Sequence, residues 1–178
     1  LSSAGVLPGA GGTITSTSAA TFITSVNAAS DFAGSITGAI DFVKTGTTQL
    51  TLRSDNSFTG TTAVLGNIVA LVDQGTLSGT SAISVRNALL RWDDSGIQEL
   101  NNRIASTTTI QLDGGAFEYI SRGAMTDSIT LGNLSVTGGT ATLRVNPGNG
   151  GFGAATLNLG GTFARSTGAT VNFASGAG

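Results

Sequence analysis

The stretch Val43-Lys44-Thr45-Gly46-Thr47-Thr48-Gln49-Leu50-Thr51-Leu52-Arg53-Ser54-Asp55-Asn56-Ser57-Phe58-Thr59-Gly60-Thr61-Thr62-Ala63-Val64 decides the fold. It reads as strand, turn, strand. Successive side chains of an extended chain point to opposite faces, so Leu50 and Leu52 share an inner face while Thr51 and Arg53 face solvent. Asp55-Asn56 and Gly60 punctuate the stretch with residue types that sharp corners favour. No side chain in it suits catalysis.

Similar short runs recur outward from this block, at 49–53, 67–71, 89–92, 108–112, 128–131, 141–145, 155–159 and 170–173. Their starts step by roughly 20 residues and later by roughly 13 to 15, and a period near the former marks one unit of a stacked repeat. Evenly spaced short strands are compatible with a sandwich, a barrel or a solenoid. The period favours the solenoid, as does the clustering of Asn and Gly between runs: Asp55-Asn56, Gly66-Asn67, Gly114-Gly115, Gly138-Gly139 and 148–151. Asn and Gly tolerate the left-handed backbone of a tight corner. Taking each run as one rung predicts about eight rungs and a rod about 40 Å long at ~4.8 Å per rung. Alternation places Ile110 and Leu112, and Leu157 and Leu159, inward, with Phe58, Phe117, Phe163 and Phe173 capping the ladders at corners. Trp92 and Tyr119 read as core or corner residues rather than a ligand-stacking platform. Helical spacing occurs only at Ile97, Leu100 and Ile104, which reads as a turn or one-turn excursion.

Lys44, Gly46, Leu50, Thr51, Leu52, Asn56, Phe58, Thr59, Gly60, Thr62 and Val64 follow the order KxGxGxLTLxGxNxYTGxTxV. The block therefore resembles the autotransporter-associated β-strand repeat, also called the passenger-associated transport repeat. Phe58 stands where that repeat usually has Tyr, and Thr48 and Ser54 replace two of its glycines. Asn102-Arg103-Ile104, then 109–117 and 131–136, resemble the NRI…LxLxGGxF…xGxLxL stretches that follow such repeats, and 164–173 is similar to their xRxxGATVNF rungs. The resemblances touch most of residues 40–175. They imply an all-β, right-handed parallel β-helix (a solenoid) in a bacterial protein exported to the outer surface or the extracellular space. Lys44 is expected at the surface of a rung start. The whole chain, 1–178, reads as one β-helical segment, with less regular rungs over 1–35 and repeat-like rungs over 36–178.

Composition narrows the function. Charged residues are 10% of the chain against about 25% in ordinary soluble domains. Net charge is −2 and apolar residues reach 39%, a balance that excludes disorder driven by charge. There is no Cys, which suits a chain crossing an oxidising compartment, and no His, the commonest general base. No run of 18 apolar residues is present, so no membrane-inserted helix is expected, and no signal peptide is visible at the N-terminus.

Trp92-Asp93-Asp94-Ser95-Gly96 superficially resembles a serine-protease nucleophile loop, but no triad forms without His. Asp93 with Asp94, and Asp113 with Glu118, are the only close carboxylates. Asp93 and Asp94 point to opposite faces in a strand, and carboxylates at turns mostly cap backbone donors. The calcium repeat Gly-Gly-x-Gly-x-Asp is absent, because Gly150-Gly151-Phe152-Gly153 runs on into Ala154-Ala155. The seven arginines form no basic stripe for nucleic acid. The expectation is therefore a structural, non-enzymatic segment without catalytic, cofactor or metal residues: a passenger, stalk or adhesin rod. Its partners would be adjacent rungs of a parent protein, further copies stacked head to tail, or a host or matrix surface. A self-assembling filament subunit and a carbohydrate-binding or polysaccharide-cleaving β-helix are the alternatives. Residues 1–30 and 166–178 carry no charged side chain, and Pro8 is the only usual guard against edge pairing near the N-terminus.

Overall fold

The computed structural model describes residues 1–3, 5, 7–148 and 153–176, and among these there is no helix. The chain alternates between two parallel sheets of seven strands each. One contains β1 (Thr13–Ser25), β3 (Ser35–Thr45), β5 (Thr62–Val64), β7 (Ala82–Arg86), β9 (Thr109–Asp113), β12 (Leu134–Gly138) and β15 (Phe163–Arg165). The other contains β2 (Ser30–Phe32), β4 (Leu50–Leu52), β6 (Asn67–Leu71), β8 (Ala88–Asp93), β10 (Ala116–Ile120), β13 (Thr140–Asn146) and β16 (Thr170–Ser175). A third face is irregular at first and becomes a two-stranded parallel sheet of β11 (Thr126–Leu131) and β14 (Ala154–Leu159). Stacked parallel strands joined by corners make a parallel β-helix, as the repeat pattern implies.

The eight runs are not eight rungs. They fall on three faces, and one coil of the helix uses two or three strands, so each main sheet has seven levels. Six spacings of about 4.8 Å give a stack of about 29 Å, shorter than the sequence spacing predicts. The run at 128–131 lies in β11 and that at 155–159 in β14, which accounts for the short later steps. Several strands carry no strong apolar signal: β1 is TITSTSAATFITS, where Thr and Ser occupy most outward positions.

Register explains the core. Phe32, Leu52, Leu71, Trp92, Tyr119, Val145 and Ser175 form one inner column, each aligned with the next. In the other sheet Phe22, Phe42, Thr62, Ile83, Ile110, Leu134 and Phe163 form another. Phe22 stacks on Phe42 at 6.0 Å between ring centroids, and Phe42 meets Phe58 at the same separation. Trp92, Tyr119, Phe58 and Phe117 are fully buried. Corners bring backbone against backbone: a Cβ on Gly46, whose φ is +92°, would lie 2.4 Å from the carbonyl oxygen of Val26. Only glycine fits there.

Charges on the outer faces pair between coils. Arg53 lies between Asp31 (2.8 Å) and Asp73 (2.7 Å), and Glu118 lies between Arg91 (2.7 Å) and Arg144 (3.4 Å). Arg53 thus faces outward as expected, yet it clamps three successive coils rather than standing free in solvent. Leu52→Asp is expected to unfold the chain, since it places an unpaired charge in the apolar column at a cost of several kcal/mol. Arg53→Asp, which sequence alone would leave nearly silent, is expected to cost about 1–3 kcal/mol because three carboxylates would then adjoin. Urea denaturation of both variants checks the order: equal midpoints would contradict the register.

Candidate functional site

The candidate carboxylates diverge. Asp94 is fully buried and Asp93 is not; the Asp93 carboxylate accepts from the backbone N–H (3.0 Å) and hydroxyl (2.6 Å) of Ser95, as a turn cap does. Asp113 pairs with Arg86 at 2.9 Å on the exposed side, and Glu118 is held by its two arginines. Neither pair converges on a shared space where a substrate bond would lie. Among the described residues no three potential metal ligands gather. The Gly150-Gly151-Phe152 segment of the rejected calcium pattern lies outside the described residues.

Polar groups concentrate instead inside the coil. Lys44, expected at the surface, is fully buried. It occupies the inner column Thr24, Lys44, Val64, Val85, Leu112, Val136 and Arg165. Its Nζ donates to the carbonyls of Thr48 and Gly66, tying its own corner to the next coil's corner. Register, not residue type, sets its direction, because alternation from Phe42 leaves Lys44 no outward option. Burial pushes its ammonium below the ordinary lysine range.

Asn56 is also fully buried and spans three coils. Its Oδ1 accepts from the N–H of Ile36 (3.0 Å), and its Nδ2 donates to the carbonyls of Ser54 (2.7 Å) and Thr76 (3.1 Å). The two positions that depart from the repeat pattern have their own bonds: Thr48 Oγ1 donates to the Val26 carbonyl (3.0 Å). Ser54 Oγ donates to the Ala33 carbonyl (2.6 Å) and accepts from the N–H of Gly9 (2.8 Å).

Sequence reading missed the ion pair of Asp94 and Arg103, both fully buried, at 2.7 Å. Arg103 further donates to the carbonyls of Asp73 (2.8 Å), Gly75 (2.8 Å), Asp93 (3.2 Å) and Gln98 (3.0 Å), while Asp94 Oδ2 accepts from Trp92 Nε1 at 3.0 Å. Burial raises the Asp94 carboxyl above its ordinary range, opposed by Arg103 and by donors from Leu100 and Trp92. Nearby, the Tyr119 hydroxyl donates to Asp127. Burial first, and this bond second, push the phenol up, so it remains a donor. Glu99 at the same corner is pushed up by burial and by the neighbouring Asp127. The placement of Arg103 in the Asn-Arg-Ile block was the one available signal; nothing near Asp94 marked it as its partner.

The coil interior is uncovered at its C-terminal end. Phe163 is 41% exposed and Phe173 67%, and Leu143, Val145, Leu157, Leu159 and Phe173 line an open apolar cavity of about 340 Å³. Among the described residues, the outer edges of β14, β15 and β16 carry no paired strand. Comparison with known proteins finds no family model, no curated protein and no solved structure that matches the chain.

Asp94→Asn should cost about 3–5 kcal/mol, because it strands a buried guanidinium, whereas Asp93→Asn should stay within about 1 kcal/mol. Thermal unfolding of the two variants distinguishes the buried partner from the turn cap. Lys44 gives a second test. A lysine with a depressed folded pKa costs stability at neutral pH, and that cost disappears as pH rises through the folded value toward the ordinary one near 10.4. The stability of the wild type relative to Lys44→Met should therefore increase with pH over that window; a flat difference would mean that the ammonium is solvated.

Proposed function

We propose that this chain is a structural, non-catalytic β-helical segment of a secreted or cell-surface bacterial protein, a passenger or stalk presenting a rigid extended surface. The observation that carries this reading is the stack itself. Inner columns run through every level of both main sheets, and at the C-terminal end β15 and β16 leave Phe163 and Phe173 exposed and their outer edges unpaired among the described residues. Such an end accepts a further coil, which buries the apolar cavity and pairs the edges. Lys44 and Asn56 bond across coils inside the stack, Asp93 caps a turn, and Asp94, Asp113 and Glu118 are held in ion pairs. The likeness of residues 43–64 and 164–173 to passenger repeats supports export, with a host or matrix surface as the partner of the displayed rod.

A second reading, end-to-end assembly of copies into filaments, is favoured by the same open end and by the absence of charged side chains from residues 166–178. Analytical ultracentrifugation across a concentration series separates the two. Filament assembly predicts oligomers that grow with concentration and shrink when Val171 and Phe173 are both replaced by Lys. A monomer at every concentration leaves the stalk reading alone. The non-catalytic claim is tested with a reducing-sugar assay on a polysaccharide panel, where no turnover is expected. Turnover that disappears in Asp93→Asn or Asp113→Asn would overturn it.

A further inference from the structure

The two ends of the stack present the same three faces. At the C-terminal end these are β14, β15 and β16, whose inner residues Leu157, Leu159, Phe163 and Phe173 close their columns. At the N-terminal end, the second half of β1 aligns Phe22 with Phe42, and its first half aligns Ile14 with Ile36. That first half belongs to the third face, because Ser57 and Thr59 on the next coil donate to the carbonyls of Ile36 (3.0 Å) and Gly38 (2.9 Å). Residues 1–3 lie against β2, where the Ser3 N–H donates to the Asp31 carbonyl at 2.9 Å. Within the stack such a bond reaches the residue before the donor's aligned partner: Ser30, aligned with Leu50, donates to Gln49. Ser3 is therefore aligned with Phe32, and Leu1 with Ser30. Leu1, Ile14 and Phe22 are all partly buried against the core.

We propose that the open C-terminal end receives the N-terminal coil of a second copy of this chain in one register: Leu1 on Phe173, Ile14 on Leu157 and Leu159, and Phe22 on Phe163. This contact, which rests on the end-to-end reading above, continues each inner column into the next copy. The column that starts with Leu1 and Ser30 finishes at Phe173. The column that starts with the stacked Phe22 and Phe42 rings finishes at Phe163. Phe163 is 41% exposed and Phe173 67%, and each would gain an apolar cover. The outer edges of β1 and β15 are both unpaired among the described residues, so joining them bonds backbone groups on both sides. No side-chain charge opposes the contact. Residues 1–30 carry none, and from 153 onward there is only Arg165, whose guanidinium donates to the Ala169 carbonyl of its own coil. Because the two ends are different surfaces, the contact does not close on itself and repeats from copy to copy.

The register can be read by cross-linking, since the chain has no cysteine. Ile23 and Ala164 are exposed and head and end one outward column, so the proposed joint makes them neighbours. Their Cα atoms would be about 4.8 Å apart, within the disulfide range of about 4.4–6.8 Å. Thr21, two residues away on the same face, would be about 8 Å from Ala164 and out of range. The whole chain carrying Ile23→Cys and Ala164→Cys is oxidised, beside one carrying Thr21→Cys and Ala164→Cys, and both are followed by denaturing electrophoresis, disulfide mapping and ultracentrifugation. The expected result is a ladder of covalent multimers joined from 23 to 164, formed about tenfold more than the 21-to-164 bond. Oligomers that grow with concentration but lack the 23-to-164 disulfide, or equal cross-linking in both chains, would overturn this register while leaving end-to-end assembly standing. A monomer at every concentration would overturn both.

Discussion

Hydrogen bonds between successive coils are the constraint on which everything else in this protein depends. In a parallel stack the strand backbone bonds run along the axis, so each level is positioned by the one before it. Side chains at equivalent positions then superimpose, and a slip of one residue would turn a whole strand inside out. The column from Phe32 through Trp92 and Tyr119 to Val145 is the visible result. Any polar residue whose register turns it inward must find its partners between coils. Asn56 and Lys44 do so through backbone carbonyls and amides, and thereby turn a potential penalty into cross-coil ties.

The same constraint organises the few charges. With only 10% charged residues, the chain places Arg53 between two acids and Glu118 between two arginines, each on neighbouring levels. The buried pair of Asp94 and Arg103 has a different task. It supports a detour from the coil, bonding to the carbonyls of Asp73 and Gly75 on one side and of Asp93 and Gln98 on the other. Removing either partner would leave a charge in the interior, so the pair specifies the loop's shape more than it adds net stability.

How far the sequence was legible follows from what each feature needs. Period-two alternation needs only neighbours in the chain, so Leu50, Leu52, Ile110 and Leu112 were placed inward correctly, and 67–71 matches β6. The number of levels is hard to read because three faces contribute strands of similar appearance, and the small polar residues of β1 give a weak signal. Lys44 was misplaced because residue type favoured solvent while register turned it inward. Arg53 faced outward as read, but its partners Asp31 and Asp73 lie a coil away in each direction. No periodic rule links Asp94 to Arg103 across an irregular loop.

The most direct test of the stacked-coil account is native-state hydrogen exchange resolved by strand. If every level is held by the levels on both sides, protection should peak in the central strands β4 to β10. It should then fall toward β15 and β16, whose outer edges are unpaired. Protection that is uniform along the chain, or strongest in β15 and β16, would contradict the claim that neighbouring coils hold one another in place.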